Sequence, residues 1–149
     1  MKKLKSQSGR SMVEMLGVLA IIGVLSVGGI AGYSLGMRKH RANGLADVAS
    51  KYALVAYNDC QQIQLKGEGT GICAQEEVIA FEDADVGKLP AGVKKIFNPA
   101  ISLNEDDGMD HLNLSIEFDD DTLCKAYGSI IGTGCNSSMH TTNHTIKFN

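Results

Sequence analysis

Between Glu14 and Arg38 the chain carries no charged side chain, so Met15 to Met37 is an unbroken run of 23 uncharged, mostly apolar residues. A bilayer core about 30 Å thick is crossed by about 20 residues of helix. The run is long enough to span one. Whatever the rest of the chain folds into, it must accommodate this segment, and one residue at its edge asks for an explanation. Glu14 places a carboxylate where an apolar stretch begins, a cost of up to ~2.5–3.5 kcal/mol at a bilayer centre and less at its edge.

Charge divides the 149 residues as sharply as hydropathy does. Seven of the 14 basic residues (Lys2, Lys3, Lys5, Arg10, Arg38, Lys39, Arg41) lie at or before Arg41, but of the 17 acids only Glu14 does. Beyond Arg41, seven cations face 16 acids, a net charge of −9. So acidic a region repels phosphate backbones, and no basic patch with interleaved aromatics offsets it, which argues against direct nucleic-acid binding. The Lys-rich start marks a cytoplasmic flank under the positive-inside rule, and the acidic part then belongs on the other side of the membrane.

A secretory signal peptide has a short apolar core and a small-residue cleavage site. This core is longer, has a carboxylate at its entrance, and runs on into helical periodicity without a polar break. A plain anchor explains the length and the flanks but leaves Glu14 without a purpose.

Lys2, Lys3 and Lys5, then Ser8-Gly9, then Arg10-Ser11-Met12-Val13-Glu14-Met15-Leu16 resemble the type IV prepilin signature: a short basic leader ending in Gly, and Glu as the fifth residue after it, heading an apolar helix. The resemblance covers residues 1 to about 37. It implies a cut between Gly9 and Arg10 by a membrane-embedded prepilin peptidase facing the cytoplasm, and methylation of the new N-terminal amine of Arg10. The family usually has Phe or another apolar residue directly after the cut; here Arg10 stands there. The resemblance also implies a role for Glu14, which in the family pairs with the N-terminal amine of the neighbouring subunit and sets the register of assembly. Burial of a carboxylate demands such a compensating cation. The bland alternative is that Glu14 complements the dipole of its own helix, worth ~0.3–1 kcal/mol.

Gly17, Gly23, Gly28, Gly29, Gly32 and Gly36 crowd the same segment, and Gly28, Gly32 and Gly36 recur every fourth residue. Small residues at that spacing let helices approach closely in lipid. Filaments of the family carry a partly melted stretch in the buried helix, which the resemblance places between Gly23 and Gly32.

Helical periodicity continues past Arg41. Leu45, Val48, Tyr52 and Val55 recur at three and four residues with Ala46, Ala49, Ala53 and Ala56 beside them, and Lys51, Asn58 and Asp59 fall outside the stripe. The spacing predicts an amphipathic helix ending near Lys66-Gly67. The expected organisation is a leader over 1–9, a transmembrane or filament-core half-helix over 10–37, an amphipathic half-helix over 38–66, and a globular part over 67–149.

In that part "GEGTGICAQ" reads as a connection, without the strand and the Gly-Lys-Ser/Thr ending of a phosphate loop. A short helix is expected around Gln75–Ala84, and Leu89-Pro90 breaks the chain. Ile101 and Leu103 begin a hairpin, "NEDDGMD" turns it, and Leu112, Leu114, Ile116 and Phe118 alternate with polar residues to complete it. "DDDTLCKAYG" predicts a helix with Asp caps ending at Gly128. His144, Ile146 and Phe148 alternate as a last strand. The class is α+β: a long N-terminal helix, its first half transmembrane, against a small antiparallel sheet of three to four strands, a layout that matches the type IV pilin fold. A strand followed by a Cys-bearing helix near the C-terminus is closer to the type IVb branch, whereas a nine-residue leader is short for it.

Cys60, Cys73, Cys124 and Cys135 all follow the apolar run, an even count on the oxidising side. Of three possible pairings, sequence proximity favours Cys60–Cys73 and Cys124–Cys135, with a cross-pairing such as Cys73–Cys124 left open. None of the spacings is C-x-x-C and the histidines are scattered, which argues against zinc. Glu105, Asp106, Asp107 and Asp110, and Asp119, Asp120 and Asp121, raise calcium, but the first cluster misses EF-hand spacing, and turns and helix caps explain both. No nucleophile elbow, zinc-protease motif or free Cys/His pair points to an enzyme, and no cofactor is expected.

The residues and the resemblance together lead to an expected structural pilin subunit. It would be held in the inner membrane with its N-terminus cytoplasmic and its C-terminus periplasmic, then extracted by an assembly platform into an extracellular filament made with other copies. A pseudopilin of a type II secretion system shares this N-terminus. A single-pass, membrane-anchored periplasmic binding domain is the alternative of another class; it predicts an uncut N-terminus and monomers.

Overall fold

Residues 12–66, 72–73, 78–103 and 109–148 are described by the computed structural model. They divide between Met37 and Arg38 into two compact units. The architecture is α+β, with helix α1 (Met12–Leu65), strands β1 (Ile72–Cys73), β2 (Val93–Ser102) and β3 (Asp110–Phe118), helix α2 (Asp121–Ile131) and strand β4 (Thr141–Phe148).

Among the described residues the first unit contains only the Met12–Met37 part of α1. From Met12 to Gly36 every residue is exposed, and the helix holds a window long and apolar enough to cross a membrane, none of it buried within the chain. The stretch from Gly23 to Gly32 is helical throughout in the single chain. Ser26 and Ser34 turn their hydroxyls onto the carbonyls of Ile22 (2.7 Å) and Ala31 (2.9 Å), which keeps polar side chains satisfied on an apolar rod.

The second unit has the core. Along α1 the buried residues are Ala42, Leu45, Ala49, Tyr52, Ala53, Ala56 and Cys60, at helical spacing. Val48 and Val55 of the expected stripe are only half-buried, and Leu54 is exposed. Four alanines on the buried face leave room for the larger chains of the sheet, Ile96, Ile101, Leu112, Leu114, Ile116 and Phe118, which share one core cluster with it. Two α1 tyrosines anchor at their tips: Tyr52 donates to the Ile79 carbonyl (2.7 Å) and Tyr57 to the Asp110 carboxylate (2.7 Å).

The sheet is antiparallel with strand order β1-β2-β3-β4. The expected hairpin is present, with Ile101 opposite Leu112, but β2 begins eight residues earlier than the alternation at Ile101 implied, at Val93. The strand absorbs Asn98 and Pro99: register shifts fall between Val93 and Lys95 and between Phe97 and Ala100, with Asn98 at φ 51°. A bulge lets Pro, which has no N–H to give, sit in a strand. The "GEGTGICAQ" connection contributes β1, since Ile72 and Cys73 pair with Ser102 and Ile101; its other residues, Gly67 among them, lie outside the described set, as do residues 104–108, the site of the expected turn.

Two helix expectations are corrected. Of the helix expected over Gln75–Ala84, residues 75–77 lie outside the described set and Val78–Ala84 forms turns, with Asp83 N–H on Ala80 O (3.1 Å) and Ala84 N–H on Phe81 O (3.3 Å). Burial of Val78 and Ala84 and the capture of Ile79 O by Tyr52 pull this segment onto the core in irregular form. Helix α2 starts as expected, with Asp120 capping it by accepting from Leu123 N–H at 2.8 Å. It passes through Gly128 and ends at Gly132, whose φ of 75° supplies the left-handed C-cap. Gly128 serves close approach instead, because a Cβ there would lie 2.6 Å from Thr133 O.

Candidate functional site

Glu14 sits in the first described turn of α1, where unpaired N–H groups give a helix its positive end. Gly9 and Arg10, the residues flanking the expected cut, lie outside the described set. Further along, a Cβ built at Gly17, Gly23, Gly28, Gly29, Gly32 or Gly36 would meet no other atom within 4 Å. The apolar surface from Met12 to Gly36, with its Gly28/Gly32/Gly36 row, is therefore uncovered among the described residues of the single chain. In water such a surface would be strongly unfavourable, so its setting is lipid or other chains.

The four cysteines pair as sequence proximity favoured, Cys60 with Cys73 and Cys124 with Cys135; the Cys73–Cys124 cross-pairing does not form. The first bond ties the end of α1 to β1. The second ties α2 to the segment before β4, where Thr142 donates to Gly134 O (2.8 Å) and meets the Thr133 hydroxyl (3.0 Å). Small loops closed in this way add ~2–4 kcal/mol each.

Of the acids considered for calcium, Asp110 accepts from Tyr57, Asp120 caps α2, and Asp121 pairs with Lys125; Glu105, Asp106 and Asp107 lie outside the described set. Hydrogen bonds from Thr122 and from Leu123 N–H hold the Asp120 carboxyl below the usual range. Among the described residues no group of three or more His, Cys, Asp or Glu is placed to hold a metal ion.

Compared with protein-family profiles, with curated proteins and with solved structures, the chain matches none. Its chemistry must be read from its own residues.

Two features of the second unit escaped the sequence. Tyr127 of α2 and His144 of β4 meet across the core, hydroxyl to Nδ1 at 2.8 Å, and burial raises the phenol pKa and lowers that of the imidazole. Two cavities also open in this unit, one of about 520 Å³ between the 81–89 segment and the start of β2, and one of about 350 Å³ between the outer sheet face and the 134–139 loop. The first mixes Lys88, Lys94 and Lys95 with Glu82 and Asp85. Lys94 and Lys95 are already drawn to Glu117, at 3.1 and 3.5 Å. The alternation of β3 was readable in sequence, but which residues of β2 and β4 stand beside its outward side chains was not.

Proposed function

We propose that this chain is a structural subunit of a type IV pilus or a closely related helical filament, with the type IV pilin fold, processed between Gly9 and Arg10 and methylated at the Arg10 amine. One observation carries the reading: a basic leader ending in Gly9, and Glu14 five residues on, stand at the head of a helix whose Met12–Gly36 stretch is exposed among the described residues. In this reading the helix is solvated by lipid before assembly and by neighbouring copies afterwards. Extraction exchanges lipid contacts for protein contacts at little net hydrophobic cost, since lipid tails and apolar side chains are similar solvents. Glu14 then finds the cationic amine of an adjacent copy, and the glycine row lets the rods come close. The disulfide-closed second unit forms the exposed surface.

Mass spectrometry of the mature N-terminus tests this. A chain starting at methylated Arg10 is expected, and Met1–Gly9 retained in a strain with an active prepilin peptidase overturns it. A Glu14→Ala chain should be processed and reach the membrane normally yet enter filaments poorly; normal incorporation removes the pairing argument. Surface filaments on cells making the chain assign it to a pilus, whereas normal processing without them assigns it to a pseudopilus.

A further inference from the structure

We propose that the outer face of the sheet carries a binding site for a neutral saccharide, in the cavity between β2, β3, β4 and the 134–139 loop. Phe97, Ser115 and Asn143 are cross-strand neighbours and form one row of this face. Gly134, Asn136 and Met139 wall it from the loop, and Thr141 and Thr142 close one end.

None of the eight lining residues is charged, in a unit otherwise dense in acids and lysines. A phosphate or carboxylate ligand is best held by a cation or a helix N-terminus, and none of the lining residues supplies one. Just outside the lining, one row along, Lys95 reaches its ammonium to 4.9 Å from the Phe97 ring centroid and shares Glu117 with Lys94, at 3.5 and 3.1 Å. What the lining does offer is groups that both donate and accept. Sugar hydroxyls do the same, so amides and hydroxyls match them without ionic partners. Ser115 donates to Asn143 Oδ1 (2.9 Å), which orients the amide and leaves Asn143 Nδ2 without a partner among the described residues. Asn136 Oδ1 likewise accepts from Ser138 N–H (3.1 Å), so its Nδ2 also remains for a ligand. The exposed Met139 and the part of the Phe97 ring that Lys95 leaves open supply apolar surface for the C–H face of a sugar ring. About 350 Å³ lies at the small end of ligand cavities and suits a mono- or disaccharide better than an extended peptide.

This inference does not rest on the filament reading, because all of the lining belongs to the second unit. It is tested on the full chain in a polyoxyethylene detergent, whose head group is not a sugar. Saturation-transfer NMR would be run with glucose, galactose, mannose, N-acetylglucosamine, N-acetylgalactosamine and lactose. At least one should bind saturably below about 10 mM, and Asn143→Ala should weaken it about tenfold or more. The Asn143 side chain is exposed, so this variant should keep the wild-type unfolding midpoint; Asn113→Ala, on the same face but outside the cavity, should bind as wild type does. Phe97→Ala should lose binding, and in the wild-type chain the Phe97 ring signals should shift as sugar is added. No saturable binding by any of the six sugars overturns the proposal. So does equal binding by Asn143→Ala, or equal affinity for the acidic sugar N-acetylneuraminic acid.

Discussion

The two halves of α1 solve opposite problems with the same backbone. From Met12 to Gly36 large apolar side chains point in every direction and all are exposed; from Ala42 to Cys60 the buried positions are mostly alanines, set in one stripe. The contrast teaches that hydrophobicity and burial within a chain are separate properties. A helix apolar all round has no preferred face and waits for an apolar surrounding, whereas a modest stripe of small residues suffices where a sheet supplies the bulk. One half holds its fold within the chain, and the other needs a solvent that the chain does not provide.

Core truncation should separate the halves most strongly. Phe118 is fully buried on β3, and its ring lies 5.9 Å from that of Tyr127. Phe118→Ala should lower the unfolding free energy of the second unit by roughly 3–5 kcal/mol in urea titrations. Leu19→Ala, at a position 62% exposed, should leave that transition in place. A shift of similar size from Leu19→Ala would mean that the two halves fold as one cooperative unit.

Next in size are the disulfides. Their sequence separations, 13 and 11 residues, are nearly equal, so replacing either pair by Ala should cost ~3 kcal/mol in the same assay. Helix content from the first unit, measured by circular dichroism in micelles, should not respond to either replacement. An effect confined to one pair would show that native-state strain, rather than loop closure, dominates.

Glycines sharpen the comparison at about 1 kcal/mol. Gly32→Ala meets no other atom and removes a poor helix former, so the isolated helix should gain up to ~1 kcal/mol while close packing between copies suffers. Gly128→Ala drives a methyl against Thr133 O and should cost ~1–3 kcal/mol by the overpacking route. Thermal melts of the two variants should thus move in opposite directions. Loss of stability in both would mean that the Gly28/Gly32/Gly36 row packs against something even before assembly.

Legibility in the sequence followed the range of the cause. The apolar run, the Asp120 cap, the alternation of β3 and the near-neighbour disulfides are local patterns, and each stands where the residues put it. The first part of β2 was hidden because Asn98-Pro99 is a strong local break that only pairing with β3 overrides. Gly128 was mistaken for a helix stop because its reason, the passage of Thr133, appears only after the chain has turned at Gly132. For the candidate sites the split is the same. Gly9, Arg10 and Glu14 are a contiguous motif. The row of Phe97, Ser115 and Asn143 joins three strands far apart in sequence, and a shift of one residue at the bulge would have placed Phe97 on the opposite face.

The smallest expected effect is a histidine-linked dependence on pH, which belongs to the second unit because Met12 to Met37 contains no histidine. His144 is the group to watch. Its ring packs edge-on to Tyr127 with centroids 5.7 Å apart, and burial holds its pKa below the ordinary imidazole value. The folded state therefore favours the neutral ring, while the unfolded chain takes up a proton near pH ~6.5. Between the two pKa values the unfolded state binds more protons, so stability rises with pH across that window. The contribution is complete above the unfolded value and drains away as pH falls from there towards the folded one. Urea midpoints of the second unit should accordingly drop between pH about 7.5 and about 5. His144→Gln keeps an amide to meet the Tyr127 hydroxyl but cannot charge, so its midpoint should fall less over the same range. Identical slopes in the two proteins would take the titration away from this contact and leave the α2–β4 packing indifferent to acid.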